Sequence, residues 1–73
     1  MSKLVTMLRL SAEADKAKAL LSLDLLENKA VGIGDHSTDD FYKNAEEALI
    51  KLVDADDRIE ALEKYFPPTK EVI

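Results

Sequence analysis

The residues best suited to chemistry lie in one short segment between two long helix-forming stretches. Asp35, His36, Asp39 and Asp40 offer carboxylate oxygens and one imidazole, which are ligands that divalent metal ions accept in proteins. The same acids suit the positive end of a helix dipole, and Gly32 suits the turn that follows a helix. We therefore interpret the segment as a capped connection and keep the four side chains as weak metal-ligand candidates, with no metal or cofactor predicted.

A second set of carboxylates is spaced by three residues along the two helix-forming stretches. Asp24 and Glu27 lie in the first stretch, and Asp54, Asp57 and Glu60 lie in the second. This spacing resembles the all-α nucleotide pyrophosphohydrolases, which hold magnesium with paired acids on facing helices. Asp54 and Asp57 fall on the outward face, however, where they alternate with basic residues. We therefore expect solvated charge here rather than a metal site.

Other catalytic chemistry finds little support in the composition. The chain has no cysteine and a single histidine, which excludes thiolate chemistry and a zinc site built from several histidines. No serine stands in a pattern with a base and an orienting acid. The net charge of −5 disfavours binding to a phosphate backbone. We predict a protein that is not an enzyme and binds no nucleic acid.

The length and apolar runs indicate one small soluble domain spanning residues 1–73. The longest apolar run is too short to cross a bilayer, and the N-terminus lacks the features of a secretory signal. We expect a cytoplasmic protein that binds no membrane. A chain of this size buries little surface by itself. When disulfides and metals are absent, oligomerisation is the remaining way to stabilise it.

The second helix-forming stretch carries an unbroken 4-3 apolar repeat, which is typical of a seam between paired helices in a coiled coil. The seam residues are Phe41, Ala45, Ala48, Leu52, Ala55, Ile59, Leu62 and Phe66. After a loop at 31–37, we predict helix 2 over about residues 38–66. Ser37 is its expected N-cap, Pro67 and Pro68 end it, and residues 67–73 form a tail.

The first helix-forming stretch, about residues 3–30, has two apolar stripes on roughly opposite sides. An alternative is a later start with Ser11 as N-cap. The first stripe consists of Met7, Leu10, Ala14, Ala17, Leu21 and Leu25. The second stripe consists of Val5, Leu8, Ala12, Ala19, Leu23, Leu26 and Ala30. Because helix 2 can cover only one of them, the other predicts a partner surface.

These patterns predict an all-α fold, an antiparallel two-helix hairpin that dimerises into a four-helix bundle. Small residues at Ala14 and Ala17 suit close approach to the seam, so we assign the first stripe to the hairpin. The second stripe then forms the oligomer interface of a dimer or tetramer, through Val5, Leu8, Ala12, Ala19, Leu23 and Leu26. A competing arrangement pairs parallel copies of helix 2 through charges beside the seam. Leu49, Ile50 and Val53 form a smaller patch, a candidate site for an unidentified protein partner.

Two stretches of the chain, VGIGDHSTDDFYKNAEEALI at 31–50 and LVDADDRIEALEKYF at 52–66, resemble small proteins of marine tailed cyanophages. The likeness covers about residues 20–66 and carries no activity with it. It implies a viral protein made in an infected cyanobacterial cell, in the host cytoplasm, where it modulates a host or phage complex.

Two classes of function follow from these observations. The first is a small acidic interaction module, an adaptor, inhibitor or assembly factor that self-associates through helix 1. The alternative is a metal-binding protein or metal-dependent enzyme that uses the loop carboxylates or carboxylates between subunits. A melting temperature that rises with magnesium, manganese or zinc would distinguish the second class.

Overall fold

The computed structural model describes residues 2–29 and 38–67, which form two α-helices and no strand. Helix α1 spans Lys3–Lys29 and helix α2 spans Thr38–Tyr65. Ion pairs join the start of α1 to the end of α2 and the middle of each helix to the middle of the other, so the two helices run antiparallel. The protein is a helical hairpin.

Helix α1 begins at Lys3 because Ser2 caps it. The Val5 amide donates a hydrogen bond to the Ser2 hydroxyl oxygen at 3.0 Å, and the Thr6 amide donates to the Ser2 carbonyl at 3.0 Å. The bond to the hydroxyl satisfies a donor that a helix start would otherwise leave without a partner, and the bond to the carbonyl is the first of the helix. Ser11, the alternative cap, lies inside the helix.

Helix α2 has charges at both ends that suit its dipole. Asp39 and Asp40 occupy its first turn and Lys64 its last turn, which places acids at the positive end and a base at the negative end. The Phe66 amide still donates to the Leu62 carbonyl at 2.8 Å, and Pro67 follows without an amide proton to donate. The predicted cap at Ser37 lies outside the described residues, as does most of the predicted tail.

The two helices meet through small side chains. The buried apolar residues are Val5, Ala12, Ala19, Ala48 and Ala55. Within each helix these residues recur every seven positions, which is two turns, so they form one line along the axis. Because alanine has only a methyl group, the two backbones can approach closely along this line. No side chain larger than valine is buried in the described part of the chain.

The seam predicted on helix 2 forms the contact face of α2. Ala48 and Ala55 are buried, while Phe41, Ala45, Leu52, Ile59 and Leu62 are half-buried. Phe66 is the exception, because it follows the helix and is exposed. The 4-3 repeat therefore identifies the face of α2 that packs inside the hairpin.

The assignment of the two stripes of α1 is corrected by the structure. Val5, Ala12 and Ala19 of the second stripe are buried against α2, and Leu23 and Leu26 are half-buried. Leu8, at the edge of this stripe, remains exposed. The first stripe, including Ala14 and Ala17, is exposed along its whole length. Residues buried inside the hairpin have no surface left for another subunit, so Val5, Ala12 and Ala19 do not form part of the predicted oligomer interface.

Candidate docking surface

Ion pairs on both sides of the interface fix how the hairpin presents its outer surface. On one side, Arg9 Nη1 lies 3.2 Å from Glu63 Oε2 and Lys16 Nζ lies 3.1 Å from Asp56 Oδ1. The two bases are seven residues apart on α1 and the two acids are seven residues apart on α2, so a single alignment of the helices satisfies both pairs. If α2 slipped by seven residues in one direction, Lys16 would lie opposite Leu49. If it slipped in the other direction, Arg9 would lie beyond the end of α2. The charges therefore select one alignment of the helices.

On the other side, Arg58 bridges the two helices. Its Nη2 donates to Asp15 Oδ2 at 2.8 Å, and its Nε donates to Asp54 Oδ2 at 3.1 Å. The hydrogen bond from Arg58 holds the pKa of Asp15 below its ordinary value, and the same bond raises the pKa of Arg58. Asp54 therefore pairs with the base four residues later on its own helix, and Asp15 of α1 is a second partner that the sequence did not indicate.

The first stripe now faces away from the hairpin. At 100° per residue its residues centre about 180° around α1 from the line Val5, Ala12, Ala19. Its four large side chains, Met7, Leu10, Leu21 and Leu25, are each about half exposed or more. Together with Ala14 and Ala17, these residues are spaced by three or four positions over five helical turns. This is the spacing of a surface that pairs with another helix, so we call the exposed surface a helix-pairing seam. This outward seam is the main candidate docking surface of the protein.

The predicted patch on helix 2 is also on the surface. Leu49, Ile50 and Val53 are all exposed, Ile50 by 66%. Leu20 of α1 is exposed as well, and in the antiparallel register it lies level with Leu49 and Val53. The patch is smaller than the first stripe and is bordered by charged residues of α2, so it is a second and lesser docking candidate.

Two open grooves run along the Arg58 side of the hairpin. One, of about 690 Å³, is lined mostly by polar and charged side chains, including Lys18, Glu47 and Lys51. The other, of about 480 Å³, is mostly apolar and is lined by Leu8 together with Tyr65 and Phe66. Arg58 lines both grooves, and its partner Asp15 lines the first.

Only two of the four metal-ligand candidates lie among the residues that the structure describes. Asp39 and Asp40 are exposed in the first turn of α2, and Asp35 and His36 lie outside the described residues. Within residues 2–29 and 38–67, no three acidic or histidine side chains come together in a way that could hold a metal ion. Asp54 and Asp57 lie on the exposed face of α2, as their alternation with basic residues predicted.

Sequence reasoning missed which stripe of α1 faces α2, although a signal was present. Arg9 and Lys16 border the second stripe, and Asp56 and Glu63 border the seam of α2 at the same spacing of seven. Matching these charges across an antiparallel pair selects the second stripe for the hairpin. The number of large apolar residues could not select it, because each stripe contains four of them together with at least two alanines.

Neither of the two described helices is long and apolar enough to cross a membrane. In comparisons with known proteins, the chain matches no protein family, no curated protein and no solved structure.

Proposed function

We propose that the protein is a small, non-enzymatic interaction module that self-associates through the first stripe of helix α1. The observation that carries this proposal is the contrast between the buried and the exposed apolar residues. Within residues 2–29 and 38–67, the hairpin buries one valine and four alanines, whereas Met7, Leu10, Leu21 and Leu25 remain on the surface in a single line. A soluble protein rarely leaves such a continuous line of large aliphatic side chains without a partner.

The energetics of a short chain support the same proposal. Burying a leucine side chain contributes about 1.5–3 kcal/mol, whereas an alanine methyl contributes far less. The hairpin interface therefore uses close backbone contact but little apolar area, and a second copy could bury several large side chains at once. Self-association would supply the stabilisation that a chain of 73 residues otherwise obtains from disulfides or metals.

In this proposal, self-association builds a platform rather than an active site. The smaller patch of Leu49, Ile50 and Val53 lies on α2, so it stays available to a different protein when α1 is covered. The assembled protein would then act as an adaptor, inhibitor or assembly factor. The likeness to small cyanophage proteins would place this activity in the cytoplasm of an infected cell.

The test is the solution mass, measured by light scattering over a concentration series for the wild type and two variants. Leu21→Glu places a charge in the first stripe. Ile50→Glu is the matched control, because it places the same charge at an equally exposed aliphatic position on α2. Circular dichroism establishes that each variant remains helical.

We expect the wild type and Ile50→Glu to have at least the mass of a dimer and Leu21→Glu to have the mass of a monomer. A folded wild type that stays monomeric at all concentrations would overturn self-association. A Leu21→Glu variant that still associates as tightly as the wild type would overturn the assignment to the first stripe.

A further inference from the structure

The first stripe has edges of opposite charge. Glu13 and Asp24 border it on one side, and Lys18 borders it on the other, as their positions around the helix require at 100° per residue. An apolar line with an acidic edge and a basic edge is able to distinguish between two orientations of an identical helix.

The orientation follows from two-fold symmetry. When two identical helices pair in parallel, the two-fold axis runs along them and brings each edge against the opposite edge of the partner. When they pair antiparallel, the axis is perpendicular to them and brings each edge against its own copy. A parallel pair therefore joins acid to base, whereas an antiparallel pair joins acid to acid and base to base.

We propose that the partner on the first stripe is a second copy of this chain, with the two α1 helices parallel and Glu13 of each copy paired with Lys18 of the other. This inference rests on the self-association proposed above and specifies its geometry. Facing edge residues of parallel helices are offset by about five positions, which is the separation of Glu13 and Lys18.

An apolar residue on the acidic edge agrees with the parallel pairing. Leu20 lies on this edge and is about half exposed. An antiparallel pair would bring Leu20 level with Glu13 of its partner, which would cover a carboxylate with an apolar side chain.

The position of the first stripe determines the shape of the assembly. Because it lies about 180° from the hairpin interface, α1 is covered on two opposite sides. The four helices of a dimer then form a flat layer with both α1 helices in the centre and both α2 helices outside. This layer differs from the square four-helix bundle, in which each helix has neighbours about a quarter turn apart.

Cysteine cross-linking distinguishes the two orientations, because the chain has no cysteine of its own. The variants are Met7→Cys and Leu25→Cys, near the two ends of the first stripe, oxidised singly and as a mixture. Parallel helices place both copies of residue 7 side by side, within reach of a disulfide. Antiparallel helices separate them by roughly 25 Å and place residue 7 near residue 25 of the partner.

We expect each variant alone to form a disulfide-linked dimer rapidly, and the mixture to yield the same two products. Dimers that link position 7 to position 25 would overturn the parallel orientation. If the wild type is a dimer by light scattering but none of these samples cross-links, the contact lies elsewhere on the chain and the inference fails. A monomeric wild type, in contrast, would already refute the proposed self-association.

A charge exchange tests the pair itself. Glu13→Lys and Lys18→Glu each create two like-charge contacts in a parallel dimer, and we expect each to weaken dimerisation about tenfold or more. The double variant restores both pairs with the charges reversed, so its dissociation constant should return to within about threefold of the wild type. Single variants that dimerise normally, or a double variant as weak as the singles, would overturn the pairing of Glu13 with Lys18.

Discussion

Arg58 is the residue through which the two helices are most directly connected. Its guanidinium donates to Asp54 on its own helix and to Asp15 on the other, so one planar side chain satisfies carboxylates on both sides of the groove. All three side chains are partly exposed. Water therefore screens their attraction, and the contribution of the cluster lies more in alignment than in stability.

The lowered pKa of Asp15 makes this contact dependent on pH. A carboxyl whose pKa is lower in the folded protein than in the unfolded chain stabilises the fold when it is ionised. The stabilisation is present at neutral pH and is lost as the pH falls below the ordinary aspartate pKa and through the lower pKa of the folded state. We expect Asp15→Asn to be less stable than the wild type at pH 7 and to approach it near pH 2.

Urea unfolding at both pH values measures this effect. Asp57→Asn is the control, because Asp57 is an exposed aspartate without a hydrogen bond to Arg58. An Asp15→Asn variant whose loss of stability is the same at pH 2 as at pH 7 would contradict the contribution of the ionised carboxylate.

At the scale of the element, the line of alanines determines how closely the helices pack. Ala55 has 0% exposure, so a larger side chain there must push the helices apart or leave its preferred rotamer. We expect Ala55→Leu to lower the free energy of unfolding by about 1–3 kcal/mol. Ala61→Leu, the same change at an exposed position of α2, should alter it by less than about 0.5 kcal/mol. Denaturant midpoints for the two variants provide the comparison, and equal stability would show that Ala55 is not tightly packed.

The two helices differ in how far the sequence could predict them. On α2 a single apolar repeat is separated from acid–base pairs, so its inner face was recognisable from Ala48 and Ala55. On α1 two repeats of similar length compete, and hydrophobicity favours neither. The choice depends on which edge charges meet across the hairpin, such as Lys16 with Asp56, and this requires both helices to be aligned first. Periodicity within one helix cannot contain that information.

The candidate docking surface was predictable in kind but not in position. The presence of two stripes on α1 already required a partner surface, because a second helix covers only one side. The large side chains of the first stripe are exposed because α2, like α1, contributes alanines to the contact between the helices. Ala12 and Ala19 of α1 and Ala48 and Ala55 of α2 are buried in the contact, and the leucines of the first stripe remain exposed to another molecule.

At the scale of the whole molecule, the described part of the hairpin buries few apolar side chains. Its buried residues are small, and thirteen large apolar side chains in the described part of the chain are exposed. A second copy on the first stripe would cover several of them and would bind only the folded chain. Folding and association would then be coupled, and stability would depend on protein concentration.

We therefore expect the melting temperature of the wild type to rise by several degrees over a hundredfold increase in concentration, because mass action favours the folded dimer. The melting temperature of Leu21→Glu should not change with concentration, since its charge blocks the stripe without touching the hairpin interface. Ile50→Glu should behave as the wild type does. Thermal scans by circular dichroism at several protein concentrations measure these melting temperatures. A wild-type melting temperature that is constant across the series would mean that the hairpin is stable alone despite its small core.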